Sequence, residues 1–176
     1  MNHWFKKLTL STTALFILVS AAAQAANLSF PETPHMKMTP GSLCGRSTTV
    51  RYPEKVPYCS RDVDSETKWA IIGEYDSQLG YNIRGTGREN FKIDHHIPLC
   101  MGGSNDVSNL WPQHKSIYEL TDPLEPVLCG KMAEGRMTQV EAVDLIRRAK
   151  QNPQDAPQIL REITGSSDGG RRRGGR

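Results

Sequence analysis

An acid and two histidines stand side by side in the middle of the chain, as Asp94, His95 and His96. A carboxylate can hold a divalent cation through its oxygens, and an imidazole whose pKa lies near neutrality can take a proton from water. Hydrolysis of a phosphodiester needs both groups, because a water must be activated and the charge on the leaving oxygen must be stabilised. The row therefore predicts a hydrolytic metal site, with a hydrogen-bonded polar cluster at a hairpin as the alternative.

A hairpin is expected to position this row. Apolar residues at 91, 93 and 97 predict a strand that runs into a loop. Residues 102–106, Gly-Gly-Ser-Asn-Asp, have the composition of a turn. A second short strand is predicted over residues 109–111, and Pro112 is expected to end it. Asn109 opens that strand, so its amide could fix the imidazole of His95 by a hydrogen bond.

Helices are predicted on both sides of this hairpin. Residues 65–80 carry apolar residues at helical spacing, including Trp69, with Ser65 as a possible N-cap and Gly80 at the end. After the hairpin the firm helix is expected to begin near residue 122, with Asp122 as its N-cap and the following proline in its first turn.

The C-terminal part of the chain also predicts helices. Residues 138–141, Thr-Gln-Val-Glu, have the pattern of a capping box that opens a helix up to about Lys150. A short last helix is predicted over residues 157–163. The segment 165–176 is almost entirely Gly, Ser and Arg, which is the composition of a disordered basic tail.

The residues around the Asp-His-His row resemble the signature of HNH endonucleases, the ββα-metal or His-Me finger nucleases. The matching elements are Asp94-His95, Ile97-Pro98-Leu99, Gly102-Gly103, Asn105 and Asn109-Leu110, within roughly residues 91–132. The resemblance implies an α+β fold whose core is a short β-hairpin crossed by a helix. It implies that His95 is the general base, that Asp94 binds a divalent metal, and that Asn109 helps to hold the loop and the base. The implied cofactor is one divalent ion, Mg²⁺ first, with Mn²⁺, Zn²⁺ or Ni²⁺ as alternatives.

The second metal ligand differs from the family pattern. The family places a further His or Asn on the helix, and this chain has Tyr118, Glu119 and Asp122 at the corresponding distances after Asn109. We favour Asp122 as the ligand and Glu119 next, while a helix cap alone is the other reading of Asp122. His96 is expected to be an exposed or packed histidine, although it would touch phosphate or be the base if the strand were offset by one residue.

Composition and flanking charge indicate the partners. Without residues 1–25, which hold two lysines and no acid, the net charge falls from +3 to +1, so nucleic acid must be met by local clusters of charge. The expected substrate is DNA, with RNA as a second candidate and little sequence specificity, because no base-reading motif is visible. A monomer is expected. Four basic residues near the row are candidate contacts to phosphate: Arg84, Arg88, Lys92 and Lys115.

The ends and the cysteines indicate the compartment. Residues 1–25 have the lysines, the apolar run and the Ala-Gln-Ala end of a secretory signal peptide, so a periplasmic or secreted protein without membrane association is expected. The four cysteines allow three pairings, and nearest neighbours give Cys44–Cys59 and Cys100–Cys129. The predicted organisation is a signal peptide (1–25), an extended proline-rich arm (26–60), the HNH-like domain (61–164) and the tail (165–176).

Two other classes of function remain open at this point. The first is a non-catalytic secreted module that binds nucleic acid or protein on the same scaffold. The second is a structural envelope protein in which the Asp-His-His row is a satisfied polar cluster.

Overall fold

The computed structural model describes residues 30–45 and 47–165, so the predicted signal peptide and almost all of the predicted tail lie outside the described residues. The fold is α+β. The strands are β1 (Val50–Arg51), β2 (Val56–Pro57), β3 (Phe91–His95) and β4 (Leu110–His114), and the helices are α1 (Ser65–Leu79), α2 (Ile83–Thr86), α3 (Lys115–Thr121), α4 (Leu124–Ala133), α5 (Gln139–Gln151) and α6 (Ala156–Gly165). None of the helices in these ranges is long and apolar enough to cross a membrane.

The central hairpin pairs β3 with β4 in antiparallel register. Asp94 lies opposite Trp111, and His95 lies opposite Leu110. The expectation that Pro112 would end the second strand is wrong, because the strand continues through it to His114. Two strands leave a free edge on each side, and a proline that donates no hydrogen bond is tolerated at such an edge.

Helix α1 packs on one face of the hairpin and fills the first of two apolar cores. This core contains buried residues of α1, α2, β3, β4 and α3: Ile71, Ile72, Tyr75, Ile83, Phe91, Ile93, Leu110, Trp111 and Ile117. Asp64, not Ser65, is the N-cap, since its carboxylate accepts from the backbone N–H of Thr67. Gly80 ends the helix at a positive φ of 74°, as expected. Trp69, expected on the apolar face, is instead half exposed.

The chain is already helical in α3 directly after the hairpin, and the helix predicted to begin near residue 122 corresponds to α4, which begins at Leu124. His114 caps α3, because its side chain accepts from the N–H of Ser116. Asp122 then lies at the end of α3, where its own N–H bonds to the carbonyl of Tyr118. The prediction that Asp122 is the N-cap of a helix is therefore wrong, and Pro123 precedes α4 as a separate start.

Helices α4, α5 and α6 form the second core with the loop after β3. The predicted capping box opens α5. The side chain of Thr138 accepts a hydrogen bond from the backbone N–H of Glu141, and the side chain of Glu141 accepts one from the backbone N–H of Thr138. The disulfide between Cys100 and Cys129 joins the loop after β3 to α4, as predicted. The N-terminal arm is pinned by the predicted Cys44–Cys59 disulfide and contains the small β1–β2 hairpin.

Candidate functional site

A buried ammonium group organises the acid of the Asp-His-His row. Nζ of Lys150, which is fully buried on α5, donates to Oδ2 of Asp94 at 2.7 Å and to Oε1 of Glu125 at 2.9 Å. It also donates to the backbone carbonyl of His95 at 2.6 Å. Burial alone would raise the pKa of Asp94, but the ammonium groups of Lys150 and Lys92 outweigh it and lower that pKa. Asp94 is therefore a carboxylate at neutral pH.

A second lysine covers the outer side of the same acids. Nζ of Lys92 lies 2.8 Å and 2.7 Å from the two carboxylate oxygens of Asp122 and 3.4 Å from Oδ1 of Asp94. Its side chain is 34% exposed, whereas that of Lys150 is inaccessible to solvent. The ammonium group of Lys92 can consequently move into solvent while the fold stays intact, whereas that of Lys150 cannot.

Three carboxylates converge at this point. One oxygen each of Asp94, Asp122 and Glu125 can be chosen so that all lie within 4.8 Å of one another. Burial raises the pKa of Glu125, and the neighbouring carboxylates of Asp94 and Asp122 raise it further, against the opposing effect of Lys150. The cluster therefore has three acidic side chains and two ammonium groups.

This donor set fits a hard divalent cation. Carboxylate oxygens are the ligands that Mg²⁺ prefers. Lys150 holds one oxygen of Asp94 and one of Glu125, and the other oxygen of Asp94 lies 3.4 Å from Nζ of Lys92. That oxygen and the oxygens of Asp122 would become free once the exposed Lys92 withdraws. Asp122, Asp94 and Glu125 are the residues that would hold the ion.

His95 ends β3 and lines a small polar cleft beside these acids. The cleft has a volume of about 160 Å³, and its walls are formed by Arg61, Asp94, His95, Pro98, Leu99, Cys100 and Glu125. Burial lowers the pKa of His95, and the positive charge of Arg61 adds to that effect while a hydrogen bond to Asn105 opposes it. The imidazole is therefore mainly neutral at pH 7, which is the state that accepts a proton. Because β3 stops at His95, consecutive residues can face the same cleft.

His96 occupies a different environment. Its side chain is fully buried, and Nδ1 lies 2.9 Å from the carbonyl oxygen of Thr39 in the arm. Its Nε2 atom is buried without a hydrogen-bond partner among the described residues. Burial lowers the pKa of His96 to about 4. The alternative in which His96 touches phosphate or acts as the base does not fit this geometry.

Asn109 holds the loop and does not touch the imidazole. Its side chain accepts from the N–H of Ile97 at 2.8 Å and donates to the carbonyls of Ile97 and Ser104 at 2.9 Å and 2.8 Å. The expected hydrogen bond between Asn109 and His95 is therefore replaced by one between His95 and Asn105, in which Nε2 of His95 lies 3.0 Å from the acceptor Oδ1 of Asn105.

The remaining predicted residues lie away from the cleft walls. Glu119 is exposed and outside the acid group, which corrects its candidacy as a metal ligand. Arg84 and Lys115 are exposed, and Arg88 donates to the carbonyl of Phe91 and lies over the ring of Trp69. Of the four basic candidates, only Lys92 contacts the acid group.

Sequence reasoning missed three residues of the site: Arg61, Glu125 and Lys150. Glu125 follows Asp122 by three residues, which is a helical neighbour spacing that could have suggested a pair. Lys150 follows the buried Ile146 by four residues, so a lysine on an apolar helix face was visible in the sequence. Arg61 gave no signal except its position two residues after Cys59.

Comparisons with known proteins give no relative for this chain: no family model matches it, and neither a curated protein nor a solved structure does.

Proposed function

We propose that this protein is a metal-dependent endonuclease that hydrolyses phosphodiester bonds in DNA, with RNA as a second substrate to test. The observation that carries the proposal is the meeting of one neutral imidazole and two carboxylates, Asp94 and Glu125, in the wall of one cleft, with the carboxylate of Asp122 within 4.8 Å of both acids. His95 and Asp94 come from the end of β3, and Asp122 and Glu125 come from the helices that follow the hairpin. The resemblance of residues 91–132 to HNH endonucleases supports the same activity.

Each side chain has a role that follows from its surroundings. His95 accepts the proton of the attacking water, because its imidazole is neutral and lies in the cleft wall. Lys150 fixes the carboxylate of Asp94 by a hydrogen bond that excludes rotation away from the cleft. When bound, a divalent cation would supply Lewis-acid stabilisation of the leaving oxygen.

The size of the cleft favours a polymer over a small metabolite. Pockets that engulf a drug-sized ligand have volumes of roughly 300–1,000 Å³, and this cleft has about 160 Å³. A single phosphate group of a chain lying across the surface fits that space better than an enclosed nucleotide. Arg61 in the wall supplies positive charge where a phosphate would enter.

One observation favours a second candidate function. Lys150 and Lys92 already pair with all three carboxylates, so the acids could form a satisfied polar network in a non-catalytic binding module. Such a module would bind nucleic acid or protein without cleaving it and without any need for a divalent cation.

The deciding experiment is plasmid cleavage by the purified mature chain, with Mg²⁺ and with a chelator. We expect nicking with Mg²⁺, loss of nicking with the chelator, and a fall of about 10²- to 10⁴-fold in rate for His95→Ala, the usual contribution of a positioned general base. His35→Ala serves as the control, since His35 lies in the arm beside Tyr75. Nicking that survives in His95→Ala would remove the assignment, and binding without cleavage under any divalent cation would favour the second candidate.

A further inference from the structure

The amide of Asn105 bridges His95 and the N-terminal arm. Its Oδ1 atom lies 3.0 Å from Nε2 of His95, and its Nδ2 atom donates to the backbone carbonyl of Ser60 at 2.6 Å. Asn105 follows His95 by ten residues along the loop, whereas Ser60 belongs to a separate segment 45 residues earlier. The side chain of Asn105 therefore couples the position of the imidazole to that of the arm.

The partners of this amide fix its orientation. A carbonyl oxygen can only accept, so the NH₂ group of Asn105 must face Ser60. The amide oxygen must then face His95, and that oxygen can also only accept. Nε2 of His95 therefore carries the proton of this hydrogen bond. In a neutral imidazole the other nitrogen, Nδ1, is then the one with a free lone pair, and no hydrogen bond to it is present among the described residues.

We propose that Asn105 is a positioning residue that holds His95 as its Nε2–H tautomer, so that Nδ1 is the nitrogen that takes the proton from water, and that the arm sets this choice through Ser60. The catalytic part of this inference rests on the proposed function. The tautomer itself does not depend on it.

The arm is built to hold Ser60 in place. Ser60 directly follows Cys59, which is bonded to Cys44. Cys44 is itself tied to the loop that carries Asn105, because its N–H donates to the carbonyl of Gly102 at 2.7 Å. The N–H of Ser104 likewise donates to the carbonyl of Ser42 at 3.0 Å. The Cys44 side of the disulfide is therefore fastened to the same loop, and the disulfide links Cys59 and Ser60 to it.

The opposite tautomer would conflict with this arrangement. A bare Nε2 would set its lone pair against Oδ1 of Asn105 at 3.0 Å, and turning the amide over would set Oδ1 against the carbonyl of Ser60 at 2.6 Å. Either change loses a hydrogen bond and places two acceptors together. The Ser60–Asn105–His95 bridge thus selects one nitrogen as the base.

The first test is the ¹⁵N NMR spectrum of the imidazoles in the full mature chain, assigned with His95→Gln, at a pH where His95 is neutral. We expect the His95 signals of an Nε2–H, bare Nδ1 ring. Signals of an Nδ1–H ring in the wild type would overturn the inference. This readout decides the tautomer even if the protein cleaves no nucleic acid, so a failure of the proposed function is distinguishable from a failure of this inference.

The second test separates positioning from simple stability. Asn105→Ala should lower kcat by about 10- to 100-fold, the scale of a misplaced catalytic group, with little change in KM. Asn105→Gln keeps an amide that can accept from Nε2 and donate to the carbonyl of Ser60, and it should recover part of that loss. Asn90→Ala is the matched control, because Asn90 also donates from its amide to a backbone carbonyl, that of Thr86. Equal kcat for Asn105→Ala and Asn90→Ala, or no recovery in Asn105→Gln, would contradict the proposal.

Discussion

Nζ of Lys150 lies 2.7 Å from Oδ2 of Asp94, although 56 residues separate the two in the chain. An ammonium group has three donors, and all three are used here, by Asp94, by Glu125 and by the backbone carbonyl of His95. The lysine therefore ties α5 to the end of β3 and to α4 at the point where the candidate catalytic groups meet.

Lys150→Met should destabilise the protein by about 3–5 kcal/mol. Removing one partner of a buried pair leaves the other charge buried and uncompensated, and here two carboxylates lose their common donor. Urea unfolding of the wild type and the variant measures the difference. Arg148→Met, an exposed cation on the same helix, should change stability by about 0.5 kcal/mol or less. A Lys150→Met protein as stable as the wild type would show that the ammonium does not hold the acids together.

Asp122 and Glu125 should contribute to the affinity for Mg²⁺, and Glu119 should not. We expect Asp122→Asn and Glu125→Gln each to weaken Mg²⁺ binding by roughly tenfold or more, because each removes a charged oxygen ligand from a hard cation. Glu119→Gln, an exposed change on the same segment, should leave the affinity unchanged. Calorimetric titration of the three variants measures this directly. Equal affinities throughout would mean that the acids form only a network with the two lysines.

Stability should fall in mild acid because of His96. The pKa of His96 is lowered to about 4 in the folded state by burial, while an unfolded histidine titrates near 6.5. A lowered folded pKa adds stability that is present above pH 6.5 and is lost as the pH falls toward 4. Between pH 7.5 and 4.5 this group should cost about 2–3 kcal/mol. Urea unfolding of the wild type and of His96→Gln at both pH values tests this prediction. Between pH 7.5 and 4.5 the free energy of unfolding should fall by about 2–3 kcal/mol less in the variant than in the wild type. An equal fall in both proteins would refute the prediction.

Gly103 should not tolerate a side chain. A Cβ there would lie 1.8 Å from the carbonyl oxygen of Ile97 and 2.9 Å from Nδ2 of Asn109, so the loop bonds of Asn109 would break. We expect Gly103→Ala to lower the melting temperature by several degrees, the usual effect of about 1–2 kcal/mol in a domain of this size. Gly130→Ala is the matched control, because a Cβ at that position meets nothing within 4 Å. Similar melting temperatures for the two variants would mean that the loop can move.

The sequence predicted the local features well, because they depend on near neighbours. Turn composition placed the loop between β3 and β4, Thr138 and Glu141 identified the start of α5, and nearest-neighbour pairing gave both disulfides. Prediction from the sequence failed for contacts between segments that are distant in the chain. The bond from Asn105 to His95 depends on where the loop folds back, and the burial of Lys150 depends on how α5 packs against β3.

The helix after the hairpin shows a local failure with a physical cause. Asp122 followed by Pro123 has the pattern of a helix start, and the sequence offered no stronger signal. His114 takes the role of helix N-cap eight residues earlier, since its imidazole accepts from the N–H of Ser116. Asp122 then bonds to Lys92 instead of capping a helix.

The disulfide between Cys44 and Cys59 has a consequence for the cell that makes this protein. Disulfide bonds form in oxidising compartments, whereas in the cytosol the cysteine thiols are kept reduced. A newly made chain would therefore lack the covalent closure that holds Ser60 and Arg61 beside the cleft until it had been exported. If the chain cleaves DNA, this order of events would delay full activity until the protein is separated from the chromosome of its producer, so that maturation itself would serve as self-protection.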